Sequence, residues 1–360
     1  MNDDGNFRER LPGVVKALAV GIPAGALFDW LDTPIPWMIG PMVMVAAVNL
    51  MGGRLYSMPY GRQMGQVFIG SAVGLYFTPV VVAALSAHLG AIALSTASAF
   101  LIGGLGAVTM SRASGVDTKS SFFASIPGGA MAMAVLAERY GAAVAPVAVA
   151  HSMRVSIVVI VIPYALTYGG IPMEAVAYRP EIPLNLAILI PWLAFGFAIG
   201  EVSERLRFHN GYLLAPIFFG AALTVNGIEL SMVPGWLIDF SQLMFGLVLG
   251  ARYERAFFQR HTMFVPFALV NAFFIMAASA VVGIVLAWGF DLSLATMILS
   301  TSPGGMPEMT IVAQALQIGV PMVVAFHLFR VIVVSMGTQY IYVMGVWLRD
   351  RLKDGASNST

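Results

Sequence analysis

Two stretches of this chain repeat each other at an offset of 176 residues, and what they share is costly inside a membrane. Pro127-Gly128-Gly129 returns as Pro303-Gly304-Gly305, and His151 with Arg154 returns as His327 with Arg330. Each copy therefore sets a helix-breaking triplet and an ionisable pair within apolar sequence. In lipid, freed backbone groups and charges find no water, so such features point by default to a functional site.

The apolar setting runs almost end to end. Hydrophobic residues make up 59% of the chain and charged ones 10%, with a mean hydropathy of +0.84. A soluble domain has no use for so much apolar surface, so the expected class is an all-α polytopic membrane protein. Cysteine is absent, which removes disulfides, thiolate metal sites and Cys nucleophiles together. Arg8, Arg10 and Lys16 ahead of an apolar run imitate a signal peptide, but Gly21 and Gly25 belong to the duplicated pattern. That run reads as an uncleaved first span.

Six apolar segments fall in each copy, most near the ~20 residues a span needs. In copy one they cover residues 14–31, 36–51, 63–86, 88–110, 120–138 and 144–168. In copy two they cover 184–202, 211–226, 236–251, 263–288, 295–315 and 320–347. The likeness extends past the opening motifs: Gly21, Gly25 and Pro41 match Gly196, Gly200 and Pro216, while Gln66, Gly70 and Gly74 match Gln242, Gly246 and Gly250. Internal duplication is the plain explanation. The expected layout is a cytoplasmic N-terminus (1–13), repeat one (14–168), a Pro- and Gly-containing linker (169–183), repeat two (184–347) and a short, polar, disordered cytoplasmic tail (348–360).

Loop charges orient the copies. Loops 52–62 and 111–119 carry Arg54, Arg62, Arg112 and Lys119, whereas their equivalents near 227–235 and 289–294 carry no Lys or Arg. The reverse holds for 203–210, with Arg205 and Arg207, and 252–261, with Arg252, Arg255 and Arg260. Under the positive-inside rule equivalent loops then face opposite sides, so the repeats are expected to be inverted. Inversion needs an odd number of crossings per copy. The fifth segment, interrupted by Pro-Gly-Gly, is therefore expected to be a re-entrant or broken helix hairpin beside five transmembrane helices. All Lys and Arg residues except Arg154, Arg330 and Arg179 then fall on the cytoplasmic side, as suits a bacterial inner membrane protein.

Broken helices in inverted repeats are the architecture of secondary transporters. Past each Gly-Gly a half-helix begins, at Ala130 and at Met306, whose first amides and positive dipole end favour an anion. Ser125, Thr301 and Ser302 add hydroxyls before the triplets. The expected substrate site thus comprises Ser125, Pro127, Gly128, Gly129, Arg154, Thr301, Ser302, Pro303, Gly304, Gly305 and Arg330. His151, Glu308 and His327 are the ion-coupling candidates, for a proton or sodium ion. Glu308 is the one carboxylate in either hairpin core, with Ala132 at the matching place. It would neutralise one Arg and leave the other for the solute.

Structural readings stand beside these. The Pro-Gly-Gly triplets could be kinks, and the His-x-x-Arg pairs could clamp backbone carbonyls at the hairpin tip. The Gly-x-x-x-Gly pairs read as helix packing, and the scattered Met residues as filler.

The motifs Ser-Ile-Pro-Gly-Gly-Ala, Ser-Pro-Gly-Gly-Met-Pro-Glu, His-Ser-Met-Arg and His-Leu-Phe-Arg resemble those of the AbrB-type duplicated membrane proteins over nearly the whole chain. That family's labels conflict: ammonia monooxygenase for some members, regulator of gene expression for others. A redox metal needs a close set of His and carboxylate ligands. Of His88, His151, His209, His261 and His327 only His151 and His327 could meet, and each has an Arg beside it. No enzyme, metal or cofactor is expected, and without a soluble basic domain neither is direct nucleic-acid binding. The partners expected are the lipid bilayer, a small solute and, as an open option, a second copy in a homodimer. A membrane-embedded sensor that binds a ligand without transport is the alternative.

Overall fold

A computed structural model describes residues 7–113, 115–173, 182–206, 208, 210–260 and 262–357. Arg179, Arg207, His209, His261 and most of the 169–183 linker lie outside the described residues. Among the described residues the chain is helical throughout and has no strand. Copy one comprises α1 (Phe7–Trp30), α2 (Pro36–Leu50), α3 (Gly61–Gly74), α4 (Pro79–Ala87), α5 (Leu89–Ala113), α6 (Thr118–Ser125), α7 (Ala130–Arg139) and α8 (Val144–Tyr168). Copy two comprises α9 (Leu186–Arg205), α10 (Gly211–Val225), α11 (Gly235–Gly250), α12 (Arg255–Arg260), α13 (Phe264–Phe290), α14 (Leu294–Thr301), α15 (Met306–Leu316) and α16 (Val320–Ser357).

Among these, α1, α5, α8, α9, α13 and α16 are each long and apolar enough to cross a membrane. Faces that no helix covers are apolar too, with Leu101, Val270 and Trp288 at 70%, 67% and 80% exposure, as suits helices solvated by hydrocarbon. The 15-residue helices α2 and α10 are apolar but short, about 22 Å at 1.5 Å per residue. Segment 63–86, expected as one span, is instead α3 and α4 bent by 93°. Pro79 is the cause. It lacks an amide to continue α3, and Thr78 before it is extended and caps α4 through Val81 N. The tail expected to be disordered is helical through Ser357, since residues 348–354 contain no Gly or Pro and a long helix propagates cheaply.

Helix pairings recur with the copies exchanged. α2 packs on α11 as α10 packs on α3, and α13 packs on α8 as α16 packs on α5. The duplicated glycines explain the tightest of these. A Cβ at Gly70 would lie 2.5 Å from the Leu213 carbonyl oxygen, and one at Gly246 would lie 2.5 Å from that of Met38. Gly74 and Gly250 meet the backbones of α10 and α2 at 2.9 and 2.7 Å, so backbones touch along two equivalent seams. The main core gathers Met38, Val67, Val158, Leu213, Phe245 and Met309 from both copies. A smaller cluster holds Met110, Phe123, Ile126 and Met133 around the copy-one break.

Filling either seam should therefore overpack it. Gly70→Ala and Gly246→Ala are each expected to cost about 1–3 kcal/mol. Gly104→Ala, with no atom within 4 Å, should be neutral or gain roughly 0.5–1 kcal/mol. Thermal unfolding of purified protein followed by tryptophan fluorescence measures this, and equal melting temperatures for all three variants would contradict the close-approach account.

Candidate ligand site at the broken helices

Each fifth segment breaks where its Pro-Gly-Gly triplet sits. α6 ends at Ser125 and α7 starts at Ala130, while α14 ends at Thr301 and α15 starts at Met306. Ile126, Gly129 and Gly305 are all extended with negative φ, so glycine serves here for space rather than for a left-handed turn. A Cβ at Gly128 would press on Met133 at 2.9 Å, and one at Gly304 on the equivalent Met309 at 2.7 Å. A Cβ at Gly305 would collide with the Glu308 carboxylate, whereas Gly129 has only Ala132 nearby, at 3.9 Å.

Breaking a helix leaves its last carbonyls without partners, and the duplicated arginines fill that need. Arg154 Nη1 donates to the Ser125 oxygen at 3.1 Å and to Ala124 at 3.4 Å, and Nη2 reaches Ile126 at 3.4 Å. Arg330 repeats the clamp on Ser302 at 2.6 Å, Gly304 at 3.0 Å and Thr301 at 3.3 Å. Hydrogen bonds to a charged group are each worth about 1.5–3 kcal/mol, so these guanidiniums hold the breaks in shape. Both are 3% exposed. Each keeps a buried Nε without a hydrogen-bond partner, and neither forms an ion pair among the described residues.

The histidines differ. Arg154 Nη2 donates to His151 Nδ1 at 2.8 Å, and a guanidinium can only donate. His151 is thereby held neutral, with its proton on Nε2 facing the Phe123 carbonyl at 2.9 Å. His327 instead directs Nδ1 to the Val323 carbonyl at 2.9 Å on its own helix and leaves a buried Nε2 without a partner.

The hydroxyls turn into the protein. Thr301 Oγ1 donates to the Ser279 and Met297 carbonyls, both at 2.9 Å, and Ser302 Oγ to Leu299 at 2.7 Å. Ser125 Oγ accepts from Asn271 Nδ2 at 2.9 Å. Pro127 and Pro303 are buried beside them. Asn271 joins the site although it is not among the residues expected from the sequence. Its signal was present, as a lone Asn within the apolar run of α13 that is 6% exposed.

Glu308 forms no ion pair with Arg154 or Arg330 among the described residues. The carbonyls, not Glu308, compensate the arginines. Glu308 lies in the first turn of α15, back against Gly305, where its charge meets the positive end of that helix and is felt by Arg252. Ala132 leaves the first turn of α7 without a carboxylate. Accessibility differs as well: Met306 to Ala313 are buried, while Gly128, Gly129 and Ala130 are part-exposed and Met131 is exposed. α8 packs against α15 and α16 against α7, so each His-x-x-Arg helix meets the other copy's half-helix.

A capping residue fixes the start of α6. Asp117 Oδ1 accepts from Ser120 N at 3.0 Å, and Ser120 Oγ in turn accepts from Ala143 N at 2.7 Å, tying α6 to the start of α8. Partial burial works to raise the Asp117 pKa, but its hydrogen bonds from Ser120 outweigh that and hold it below the ordinary carboxylate value.

A family model described as Transition state regulatory protein AbrB matches residues 37–344. The chain is 24% identical over 343 residues to "Uncharacterized protein YhjN" of Bacillus subtilis (strain 168), covering 88% of this chain and 89% of that protein. It is 25% identical over 334 residues to "Putative regulator AbrB" of Escherichia coli (strain K12), covering 88% and 91%.

Asp117→Ala should cost about 1 kcal/mol. Because the folded pKa is depressed, the stabilisation from ionised Asp117 is present above the ordinary carboxylate range and is lost as pH falls through the folded value. Melting temperatures from neutral to acidic pH should show wild type and Asp117→Ala converging at the acid end, and a constant gap would refute the assignment.

Proposed function

The chain belongs to the AbrB family, and on that premise we propose that it is a secondary transporter of a small anionic or carboxylate-bearing solute. In this reading it sits in a bacterial inner membrane with both termini in the cytoplasm. Its halves are inverted repeats, each of five spanning helices and one re-entrant or broken helix hairpin. The opposed loop charges and the exchange of helix pairings between copies support that arrangement. Nothing in the mechanism calls for an enzymatic step, a metal or a cofactor.

The observation that carries the reading is the unequal filling of the two half-helix starts. Both start with unpaired amides and a positive dipole end, which attract an anion. In copy two the protein's own Glu308 meets that end. In copy one Ala132 stands there, the tip is part-exposed, and Arg154 adds positive charge that no carboxylate offsets among the described residues. A solute carboxylate would dock at Gly129, Ala130 and Met131, with the clamp of Arg154 on α6 keeping the tip rigid. Arg330 does the same for the tip formed by Pro303, Gly304 and Gly305. The coupling ion falls to Glu308 and to His327, whose Nε2 can take a proton; His151 would first have to release Arg154.

A second reading has support of its own, because one relative carries the name of a regulator. In that version the same tip binds its ligand without moving it, and the conformational change is read by another protein.

Proteoliposome flux separates the two. With labelled acetate, lactate and succinate as probes, wild type should show saturable flux under a proton or sodium gradient. Ala132→Glu, which supplies copy one with the carboxylate that copy two already has, should lower flux at least tenfold at unchanged melting temperature. Arg154→Gln and Arg330→Gln should abolish flux. Saturable binding with no flux under either gradient selects the sensor, and wild-type flux by both Arg variants removes the site assignment.

A further inference from the structure

A groove of about 650 Å³ runs between the end of α7 and the stretch 339–347 of α16, at the opposite end of the copy-one half-helix from its Pro-Gly-Gly tip. Helix ends give its level in the membrane. The apolar span of α16 stops at Gly345, and that of α8 begins at Val144, just past Tyr140. The groove therefore straddles the boundary between hydrocarbon and headgroups, where Tyr and Trp concentrate. Tyr140, Tyr340 and Trp347 all line it.

One charged side chain lines the groove, Arg139, and no carboxylate does; its chain neighbour Glu138 stays off the lining. Arg139 is exposed, and among the described residues it forms no ion pair. Its guanidinium lies 5.9 Å from the centre of the Tyr140 ring, and Nη1 reaches Gln339 Oε1 only at 3.5 Å. Lys119, also exposed, donates to the Tyr140 carbonyl at 3.3 Å, so a second cation stands at the same corner. Tyr140 itself is held by the rings of Tyr342 and Phe123, at 4.9 and 5.9 Å, which fixes this wall. The wall on α16 is apolar. Val343 and Met344 are 52% and 55% exposed, and at helical spacing below them Tyr340, Met336 and Ile332 continue an uncovered strip along the helix. A soluble anion would gain from the cations and nothing from the strip. A lipid uses both, since guanidinium and phosphate match in charge and geometry and a hydrocarbon chain fits the apolar face.

We propose that this groove binds an anionic phospholipid, its phosphate held by Arg139 at the Tyr140 corner and one acyl chain laid on the strip from Met344 down to Ile332. Bound there, the lipid braces α7, the copy-one half-helix, against α16, the helix that carries His327 and Arg330. The proposal requires that the chain span a membrane, and it holds for a transporter and for a sensor alike.

Native mass spectrometry of the purified full chain, titrated in detergent with dioleoylphosphatidylglycerol, tests it. A saturable adduct of one lipid per chain is expected, with zwitterionic dioleoylphosphatidylcholine at least fivefold weaker. Arg139→Gln should weaken the phosphatidylglycerol adduct about fivefold, the worth of one basic side chain near a membrane surface. Tyr340→Ala, also at an exposed position, should weaken it at least twofold and serves if Arg139→Gln fails to fold. Arg260→Gln, which removes an exposed cation outside the groove, should leave it unchanged. An equal loss in Arg260→Gln would mean general surface charge, and displacement of the lipid by inorganic phosphate would mean a soluble-anion site. A lipid-free dimer would assign the groove to a second copy. Any of these three, or equal binding of the two lipids, overturns the proposal.

Discussion

Backbone contact between helices, permitted by glycine, is the constraint from which the rest of the molecule follows. Gly70 and Gly74 bring α3 onto α10, and Gly246 and Gly250 bring α11 onto α2, each at distances where a single methyl group would collide with the facing backbone. In an apolar solvent there is little hydrophobic gain from helix association, so close packing of this kind has to supply it. Once these seams are set, α3 and α11 cross each other and both touch α15, which places the copy-two half-helix in the main core. The copy-one half-helix lies outside this contact set and packs in the smaller cluster. Duplicated sequence thus produces two similar breaks in two unequal environments.

The arginines show how one residue can serve structure and chemistry together. A broken helix in a water-poor interior exposes carbonyl dipoles, and a guanidinium with five donors in a fixed fork satisfies several at once. The clamp reading of Arg154 and Arg330 therefore describes what their Nη atoms do. It does not exhaust them, because carbonyls satisfy hydrogen bonds without cancelling a net charge. The residual positive field at each break is the physical link between the clamp and the anion reading, and Glu308 shows the same field already answered by a carboxylate in one copy.

Asp29 at the end of α1 and Asp239 in α11 line one cavity whose wall carries no Lys, Arg or His and has the opposite sign. Its counterpart residues are telling: Gln66 and Gln242 are equivalent by duplication, yet Gln66 donates to Asn210 beside Arg62, while Gln242 donates to Asp239. Equivalent backbone positions have acquired opposite charge environments. A chain assembled from two copies can in this way carry different chemistry in each half without altering the scaffold.

Duplication, helical class and the two breaks at the Pro-Gly-Gly triplets were readable from residue spacing and composition, because each is a local property. Helix-breaking triplets break helices wherever they stand, and an i, i+3 pair shares a face in any helix. The 93° bend between α3 and α4 was hidden inside an apolar run, and the same break between α11 and α12 has no proline to announce it. Three things needed the tertiary structure: that the arginines turn to carbonyls rather than to Glu308, that Glu308 folds back onto its own helix, and that Asn271 reaches Ser125 from a helix remote in sequence. Each depends on which groups come within hydrogen-bond distance of one another, and that is decided by how helices pack, which no spacing along one helix encodes.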